Sequence, residues 1–439
     1  MFRLAVEKKV DLLEFKLALP KNFAELTCAF SYEYKTAEGT VVTKVDLPIR
    51  ERQGTKYYLT HHFPFNPFSF FSPLEITVSV VTPRGVALLG KWTYFNNQLN
   101  RQREVVPFPE RMIGFSLTNQ CNLQCVMCWQ QDRTTALYLP YEKIKSVIEE
   151  VRLLGRPPVY FWGGEPFLHP QFWEIIRMVK ANGFFCIVNT NGMALKKEIE
   201  RILASGLDMI VVSIDGNEFI HDKIRGRQGV YQRVVSGLEQ VLAKRKKRPI
   251  IAVNSVITEF NYENLDELVE LKKKLGFDYL DFQFLIYYTQ EEKESYKSRY
   301  KRLFATEPFS ADDYGADYGN IDLDLLCTVR NRIAAAQDHH IRFFPYAIHS
   351  AADVYNYFKR PWKLGITSCD SIDKSFWVEP NGDVVPCSIF PDYVVGNIKE
   401  QGFYRIWNNK KFQTFRQAMN EELFSICYRC CDLYKKDYI

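Results

Sequence analysis

Three cysteines stand close together in the stretch from Cys121 to Cys128, with Cys125 between them. Their spacing is C-x-x-x-C-x-x-C, and thiolates held this close together suit a soft metal, above all an iron–sulfur cluster. A cube-type cluster has four irons, so three cysteines leave one iron without a protein ligand. That iron could bind a substrate or a cofactor. The alternative interpretation is three buried or incidental thiols.

An apolar run at residues 112–117 leads into the cysteines and reads as a strand. This combination resembles the radical SAM superfamily, in which the cysteine loop follows the first strand of a barrel. The resemblance implies that Cys121, Cys125 and Cys128 hold a [4Fe–4S] cluster whose open iron binds S-adenosyl-L-methionine. It also implies a flavodoxin- or ferredoxin-type electron donor and a 5′-deoxyadenosyl radical that abstracts hydrogen from the substrate. Met127 stands where the family often has an aromatic residue, and is a candidate for the adenine-side contact.

Composition places the chain among ordinary globular proteins. With 439 residues, of which 46% are hydrophobic and 25% charged, two or three domains are expected. The net charge of +5 is too small to argue for a nucleic-acid partner. The N-terminus lacks the apolar core of a signal peptide and no run of about 18 apolar residues occurs, so no membrane partner is expected. Cysteines at metal-type spacings then favour the reducing cytoplasm as the location.

Residues 1–105 differ in pattern from the rest of the chain. Short runs rich in β-branched and aromatic residues recur there between turn signals, at the spacing of an antiparallel sandwich. We therefore predict an N-terminal all-β, sandwich-like domain that either recognises a substrate or partner or acts as a structural cap. It lacks the helical second half that a leader-peptide-binding element, common among peptide-modifying relatives, would need.

From residue 111 to about residue 285, strand-like and helix-like stretches alternate. Strands are predicted at 112–118, 158–162, 184–190, 208–214, 250–257 and 279–285. Helices are predicted at 141–154, 171–182, 195–205, 229–244 and 263–275. This alternation predicts an α/β fold with a parallel sheet and right-handed crossovers, and the resemblance makes it a partial (β/α)6 radical SAM barrel in a core domain at 108–310. Ligands of such sheets bind beyond the carboxyl ends of the strands.

Glycines and polar residues follow the predicted strands at that edge. Paired glycines let a backbone approach a ligand closely, and residues 163–166 match the radical SAM motif that holds the methionine amino group. Ser213 and Asp215 point the same way on one strand. Arg225 either pairs with the carboxylate of the cofactor or forms a surface salt bridge with Asp222. The candidates for cofactor contacts, besides Met127, are Gly163, Gly164, Glu165, Asn189, Ser213, Asp215, Arg225 and Asn254.

Four further cysteines at metal-type spacing lie toward the end of the sequence, namely Cys369, Cys387, Cys427 and Cys430. Spacing alone would favour zinc, and four thiolates could also bind an iron–sulfur cluster. A hairpin pattern with an Asn-Gly turn at 378–387 and the run at 396–408 resemble the SPASM extension of radical SAM enzymes, in its shorter twitch-type form. The resemblance implies an auxiliary [4Fe–4S] cluster on these four cysteines, in a domain at 311–439.

Residues 290–360 are charged and rich in tyrosine, and we predict an insertion or linker there with a helix near 322–337. Cys431 is left over as an alternative ligand, a hydrogen-atom donor or an inert thiol. The candidates for a catalytic or substrate-side role are Cys327, Cys431, Tyr287, Tyr288 and Gln283.

Together these patterns predict an enzyme that uses S-adenosyl-L-methionine and two [4Fe–4S] clusters, one that binds the cofactor and one auxiliary. The first hypothesis is modification of a peptide or protein, with the auxiliary cluster as the electron acceptor. The second is oxidation or epimerisation of a sugar or aminocyclitol. The third, from another class, is a zinc-stapled binding protein with a degenerate barrel. It requires that Cys121, Cys125 and Cys128, called here the N-terminal cysteines, bind no iron. RNA modification has little positive charge to support it.

Overall fold

The structure, a computed structural model, describes the backbone from residue 3 to residue 430, apart from residues 10–11, 20–26, 37–38, 48–50, 54–55, 65–73, 83–84, 96–97, 102–105, 107, 130–133 and 370. Side chains are described from residue 106 onward and at Ala87. The chain divides into two compact units, each built from distant segments. The first comprises Met1–Glu110, Ser146–Arg156 and Asn397–Gln417, and the second comprises Arg111–Lys145, Pro157–Gly396 and Ala418–Ile439.

The N-terminal region consists of antiparallel strands, as its alternating runs of β-branched and aromatic residues predict. The strands are β1 (Arg3–Lys9), β2 (Leu12–Leu19), β3 (Thr27–Thr36), β4 (Gly39–Leu47), β5 (Glu51–Gln53), β6 (Lys56–Pro64), β7 (Leu74–Thr82), β8 (Gly85–Phe95) and β9 (Gln98–Arg101). They form two sheets, in the orders β1-β2-β6-β5 and β4-β3-β7-β8-β9. The prediction of an all-β N-terminal region is confirmed.

A parallel sheet carries the cysteine loop. Its strands are β10 (Met112–Ser116), β11 (Val159–Trp162), β12 (Cys186–Thr190), β13 (Met209–Ser213), β14 (Ile250–Ile257), β15 (Tyr279–Phe284) and β16 (Ile341–Phe344). Each of these strands pairs in parallel with the next one along the chain. Three strands follow, β17 (Ser375–Val378), β18 (Asp383–Val385) and β19 (Gly396–Asn397). β17 runs parallel beside β10, and β17 and β18 form the hairpin that the Asn-Gly turn predicts.

Helices alternate with the parallel strands, and two more follow the last strand. They are α1 (Tyr141–Val151), α2 (Phe172–Ala181), α3 (Leu195–Ala204), α4 (Glu218–Arg225), α5 (Val230–Lys244), α6 (Leu265–Leu275), α7 (Gln290–Phe304), α8 (Leu323–Ala334), α9 (Ala351–Lys359), α10 (Ser371–Lys374), α11 (Phe403–Trp407) and α12 (Lys410–Glu421). In the portion that can be described, none of them has the length and apolar character needed to cross a bilayer. The alternation of β and α elements confirms the predicted α/β class.

The prediction of a helix near 322–337 is confirmed by α8, and the rest of the segment at 290–360, predicted as an insertion or linker, supplies α7, β16 and α9. The many charged residues of this segment are the reason why the sequence predicts a linker. The N-terminus of α7 has a complete capping box between Thr289 and Glu292, which satisfies free backbone donors and starts the helix. Tyr296 and Tyr300 of the same helix are buried, as are Glu292 and Lys293, whereas its other charged residues are exposed or half-buried. A charged sequence with a narrow apolar stripe is therefore a helix here.

Side chains of the parallel sheet alternate between two environments. On β13, Ile210 and Val212 are fully buried, whereas Val211 and Ser213 line an internal cavity. Burial of each such aliphatic side chain stabilises the fold by about 1.5–3 kcal/mol. Because successive side chains of a strand point to opposite faces, the sequence can place an apolar core on one face and polar groups on the other. The cavity lies on the face that carries Val211 and Ser213.

Candidate functional site

A cavity of about 550 Å³ lies within the second compact unit. Its volume falls in the range of roughly 300–1,000 Å³ that is usual for small-molecule sites. Its wall includes the three N-terminal cysteines, as well as these residues predicted as cofactor contacts: Met127, Gly163, Gly164, Asn189, Ser213, Arg225 and Asn254. The residues described as lining it include neither Glu165 nor Asp215. These two carboxylates instead accept hydrogen bonds from residues that do line it.

The cysteine loop is held by backbone hydrogen bonds from its neighbours. Gly164 N donates to the Thr118 carbonyl at 2.7 Å, and Glu165 N donates to the Gln120 carbonyl at 2.8 Å. On the other side, Val126 N donates to the carbonyl of Ile224, at the end of α4, at 2.9 Å. These contacts position a loop that has no regular secondary structure among its described residues.

The C-terminus of α4 approaches the cysteine loop very closely. Gly226 ends the helix in the left-handed region, with φ of +71°, which other residues adopt only at a cost. A Cβ atom at this position would also lie 2.4 Å from the Gln124 carbonyl oxygen. Only glycine therefore lets this helix end meet the loop, and α4 was missing from the sequence prediction.

Arg225, the last residue of α4, is buried and pairs with Asp215. Its Nε donates to Asp215 Oδ2 at 2.6 Å, and its Nη1 lies 3.6 Å from Cys125 Sγ. The surface salt bridge between Arg225 and Asp222 is not what forms, because the Asp222 carboxylate accepts from Gly229 N and Tyr231 N at the start of α5. Burial raises the pKa of the Cys125 thiol, and the Arg225 charge opposes that rise.

Glu165 organises the end of β12. Its carboxylate accepts hydrogen bonds from the Thr190 hydroxyl and from Asn191 N, each at 2.8 Å. A third comes from Phe167 N at 3.2 Å. Burial raises the pKa of this carboxyl group to about 7, and these hydrogen bonds only partly oppose the rise. The side chain is thus engaged with the protein, and the strand end that it holds presents Asn189, Thr190 and Asn191 to the cavity.

Three of the C-terminal cysteines, Cys369, Cys387 and Cys427, lie close enough to interact through their charge. Burial raises the pKa of the Cys427 thiol, and Cys369 and Cys387 raise it further through their charge. The neighbouring Arg429 is almost fully buried, and its Nη1 donates to both carboxylate oxygens of Glu292, at 2.6 and 2.5 Å. Cys430 is buried as well, while Cys431 lies outside the described residues.

A row of aromatic rings runs along the cavity toward these C-terminal cysteines. Trp129, directly after the cysteine loop, stacks on Tyr314 with ring centroids 5.7 Å apart. Tyr314 meets Tyr288 edge to face at 5.2 Å. Burial raises the pKa of Tyr288 well above its usual value, and Cys430 and Cys427 are among the charged neighbours that add to the rise. The row therefore begins beside one group of cysteines and ends beside the other.

Two of the catalytic candidates lie elsewhere. Cys327 in α8 is directed toward the Ala351 carbonyl, with its sulfur 3.9 Å away, and Tyr287 lies under Arg429, whose guanidinium is 4.1 Å from the ring centroid. Neither is among the residues described as lining the cavity, whereas the substrate-side candidate Gln283 is. Sequence reasoning missed Trp162, Tyr314 and Asn191 as wall residues. For Asn191 a signal existed, since it follows the strand end two places after Asn189.

The comparisons with known proteins agree with this geometry. Residues 115–275 match the Radical SAM superfamily, and residues 369–431 match SPASM, described as an iron–sulfur cluster-binding domain. The AdoMet-dependent heme synthase of Methanosarcina barkeri is 29% identical over 74% of this chain and 89% of its own length. The mycofactocin maturase MftC of Mycobacterium tuberculosis is 24% identical over 72% of this chain and 75% of its own.

Among solved structures, SuiB of Streptococcus suis bound to precursor peptide SuiA is similar, with a TM-score of 0.54 and 15% identity over 74% of this chain and 72% of that one. This likeness shows a shared fold. The chain belongs to the radical SAM superfamily and carries a C-terminal SPASM domain. It is therefore an enzyme that uses S-adenosyl-L-methionine, a [4Fe–4S] cluster and auxiliary iron–sulfur chemistry. The alternative of a zinc-stapled binding protein is wrong.

The cavity residues fit these cofactors. Asn189 Oδ1 is buried without a hydrogen-bond partner in the described structure, which costs about 1–3 kcal/mol unless a ligand pairs with it. A Cβ atom at Gly163 or Gly164 would collide with residues 116–120, so only glycine lets this turn pack against the segment that leads into the cysteines. Among the described residues, no three His, Cys, Asp or Glu side chains converge on a point that one metal ion could occupy. A cluster instead takes one thiolate per iron, and when bound by the three N-terminal cysteines it supplies the electron that cleaves the cofactor.

Proposed function

We propose that this enzyme oxidises a side chain of a peptide or protein substrate, and that the auxiliary cluster accepts the electron which the substrate gives up. The observation that carries this proposal is the composition of one cavity wall. The wall includes Cys121, Cys125 and Cys128, and it also includes Ser388 and Ile389, which directly follow Cys387. A substrate in this cavity lies between the two groups of cysteines.

The polypeptide has clear roles in such a reaction. The rings of Trp129, Trp162 and Tyr314 line the cavity and can exclude water from the reacting atoms. Tyr314 is fixed from two sides, because its hydroxyl donates to the Ile389 carbonyl at 3.1 Å and its own carbonyl accepts from Lys293 Nζ at 2.7 Å. A rigid wall of this kind can hold one C–H bond in the geometry needed for hydrogen abstraction.

The peptide class is supported by the mycofactocin maturase, a relative that aligns over most of both chains. The test is anaerobic reconstitution followed by incubation with the cofactor, a reductant and peptides encoded beside the gene. We expect 5′-deoxyadenosine together with a peptide product that has lost two hydrogen atoms by mass spectrometry. Cys427→Ala should retain cofactor cleavage and lose peptide oxidation. Wild-type oxidation by this variant would contradict an electron-accepting role for the auxiliary cluster.

A tetrapyrrole is the second candidate substrate. The relative that aligns at 29% identity is named for haem synthesis. The cavity also has an unusually aromatic wall, formed by Trp129, Tyr160, Trp162, Tyr314 and Trp377. Planar conjugated ligands pack well against such rings. A shift of the porphyrin absorption band on titration with the enzyme, with no product from any peptide, would favour the tetrapyrrole. Nucleotide sugars and aminocyclitols, in the same deoxyadenosine assay, test the remaining sequence-based hypothesis.

A further inference from the structure

Two side chains, one at the end of helix α4 and one just after strand β12, donate hydrogen bonds to two of the three cysteines Cys121, Cys125 and Cys128. Arg225 Nη1 lies 3.6 Å from Cys125 Sγ, and Asn191 Nδ2 lies 3.8 Å from Cys121 Sγ. Asn191 is fixed by its own contacts, since its Nδ2 also donates to Asn122 Oδ1 at 2.7 Å and its Oδ1 accepts from Met193 N at 3.0 Å. Two cluster ligands thus have a polar partner from outside the loop.

Arg225 is held in a single orientation. Asp215, which is 0% exposed, accepts its Nε, and the other carboxylate oxygen of Asp215 accepts from Val256 N at 3.3 Å. The backbone N–H of Asp215 donates to His221 Nδ1 at 3.1 Å. Burial lowers the pKa of His221 to about 4, so this imidazole is neutral and accepts at Nδ1. The anchor of the guanidinium is therefore a rigid, fully buried carboxylate.

The charge of Arg225 is largely compensated by Asp215. What the pair adds to the neighbourhood of Cys125 is a fixed N–H donor directed at the sulfur, with little net charge. Such a donor acts strongly because the site is buried and the local dielectric constant is low. Hydrogen bonds to cysteine sulfurs are one of the factors that set the reduction potential of iron–sulfur clusters.

We propose that Arg225, positioned by Asp215 and assisted by Asn191, raises the reduction potential of the cluster held by the N-terminal cysteines. Reduction adds negative charge to the cluster and its thiolates, so a donor that points at a sulfur stabilises the reduced form more than the oxidised form. The role is separate from binding of the cofactor's carboxylate, which the family resemblance suggests for Arg225. It concerns the cluster before any substrate binds, so it does not depend on the substrate class proposed above.

The test is a redox titration of the reconstituted holoenzyme, followed by electron paramagnetic resonance, without substrate and without S-adenosyl-L-methionine. The signal of the N-terminal cluster is identified by its change when the cofactor is added afterwards. Arg225→Lys keeps the positive charge beside Asp215 but loses the planar fork that reaches both Asp215 and Cys125. The matched control is Arg245→Lys, because Arg245 also pairs with an aspartate, Asp278, and donates to the Pro249 carbonyl.

We expect Arg225→Lys to make reduction less favourable by about tenfold in its equilibrium constant, which is about 59 mV for one electron. Arg245→Lys should leave the potential unchanged. An unchanged potential in Arg225→Lys, or an equal shift in Arg245→Lys, would overturn the proposal. So would a variant whose potential is normal and whose only defect is weaker binding of S-adenosyl-L-methionine.

If Arg225→Lys fails to hold the cluster, a second variant still tests the proposal. Asn191→Ala removes the donor that reaches Cys121 Sγ and changes no charge near the cluster. Its potential should fall in the same direction by a smaller amount, and a normal potential in a fully loaded Asn191→Ala enzyme would again refute the idea. Because all readings are taken without substrate, a negative result for peptide oxidation leaves this test unaffected.

Discussion

Replacement of Gly164 by alanine should damage the cluster site through steric contact alone. A Cβ atom at this position would lie 2.1 Å from the Gln120 carbonyl oxygen and 2.5 Å from its carbonyl carbon. Both are backbone atoms, so no side-chain rotation can relieve the contact. Ordinary contact begins near 3.4 Å, and Gln120 must therefore move by about 1.3 Å, the difference between 3.4 and 2.1 Å. Cys121 is the next residue and must move with it.

The energetic cost follows from the hydrogen bonds at the same place. Gly164 N to Thr118 O and Glu165 N to Gln120 O, at 2.7 and 2.8 Å, both join the two segments that would be forced apart. Their loss costs about 1–1.5 kcal/mol each, and overpacking of a close contact adds about 1–3 kcal/mol. We expect Gly164→Ala to lower the free energy of unfolding by about 3–6 kcal/mol and to bind less iron.

The assay is denaturant unfolding combined with iron and sulfide counts per chain. Gly315→Ala is the matched control, because a Cβ atom there would meet only the Asp317 carbonyl oxygen, at 3.6 Å. Neither glycine has a positive φ angle, so both substitutions test space and not backbone strain. The reasoning would be refuted if Gly164→Ala matched this control in stability and in iron content.

Three further predictions concern buried groups. Tyr314→Leu removes three ring contacts, with Trp129, Tyr288 and Phe390, worth about 0.5–1.5 kcal/mol each. Thermal unfolding should therefore show a loss of about 1.5–4.5 kcal/mol, together with more 5′-deoxyadenosine per product, whereas Tyr314→Phe should lose only the hydrogen bond to the Ile389 carbonyl. Burial raises the pKa of Glu165 from 4.5 to about 7, so the folded state favours the neutral carboxyl group. The free energy of unfolding of the wild type should therefore fall by about 3 kcal/mol as the pH rises across that interval. Denaturant unfolding of Glu165→Gln at pH 5 and pH 8 should show no such fall, and an equal fall would contradict the prediction. Glu292→Ala leaves the buried Arg429 guanidinium without its carboxylate partner. The free energy of unfolding should fall by about 3–5 kcal/mol, and the C-terminal cluster should bind less iron. Wild-type stability with wild-type iron content would contradict this prediction.

The elements that the sequence predicts well are those with short-range signals. The spacing from Cys121 to Cys128 lies within one loop, and each parallel strand is a short apolar run between turn residues. The period of two along β13 predicts that Ser213 and Asp215 point the same way, and the structure has Ser213 in the cavity wall, although Asp215 is not among the lining residues. Such features need no knowledge of which segments meet in space.

The partner of Arg225 could not be found in this way. Asp222 stands three residues away and is the nearer choice in sequence, yet its carboxylate caps α5 instead. Asp215 is ten residues away and becomes the partner because α4 folds back toward the end of β13. The helix itself escaped prediction because its eight residues are flanked by polar turns and contain few apolar positions.

The same reasoning explains why the wall of the site was predicted only in part. Trp129, Trp162 and Tyr314 are far apart in sequence, and aromatic residues are so frequent in this chain, at 15%, that no single ring stands out. The contact between Trp129 and Tyr314 depends on the long α7–α9 segment, which sequence charge made resemble a linker. The cysteines identify the chemistry because metal ligands need particular residue types. The substrate wall needs only shape and apolar surface, which many residues can provide, so its members become visible only once the chain has folded.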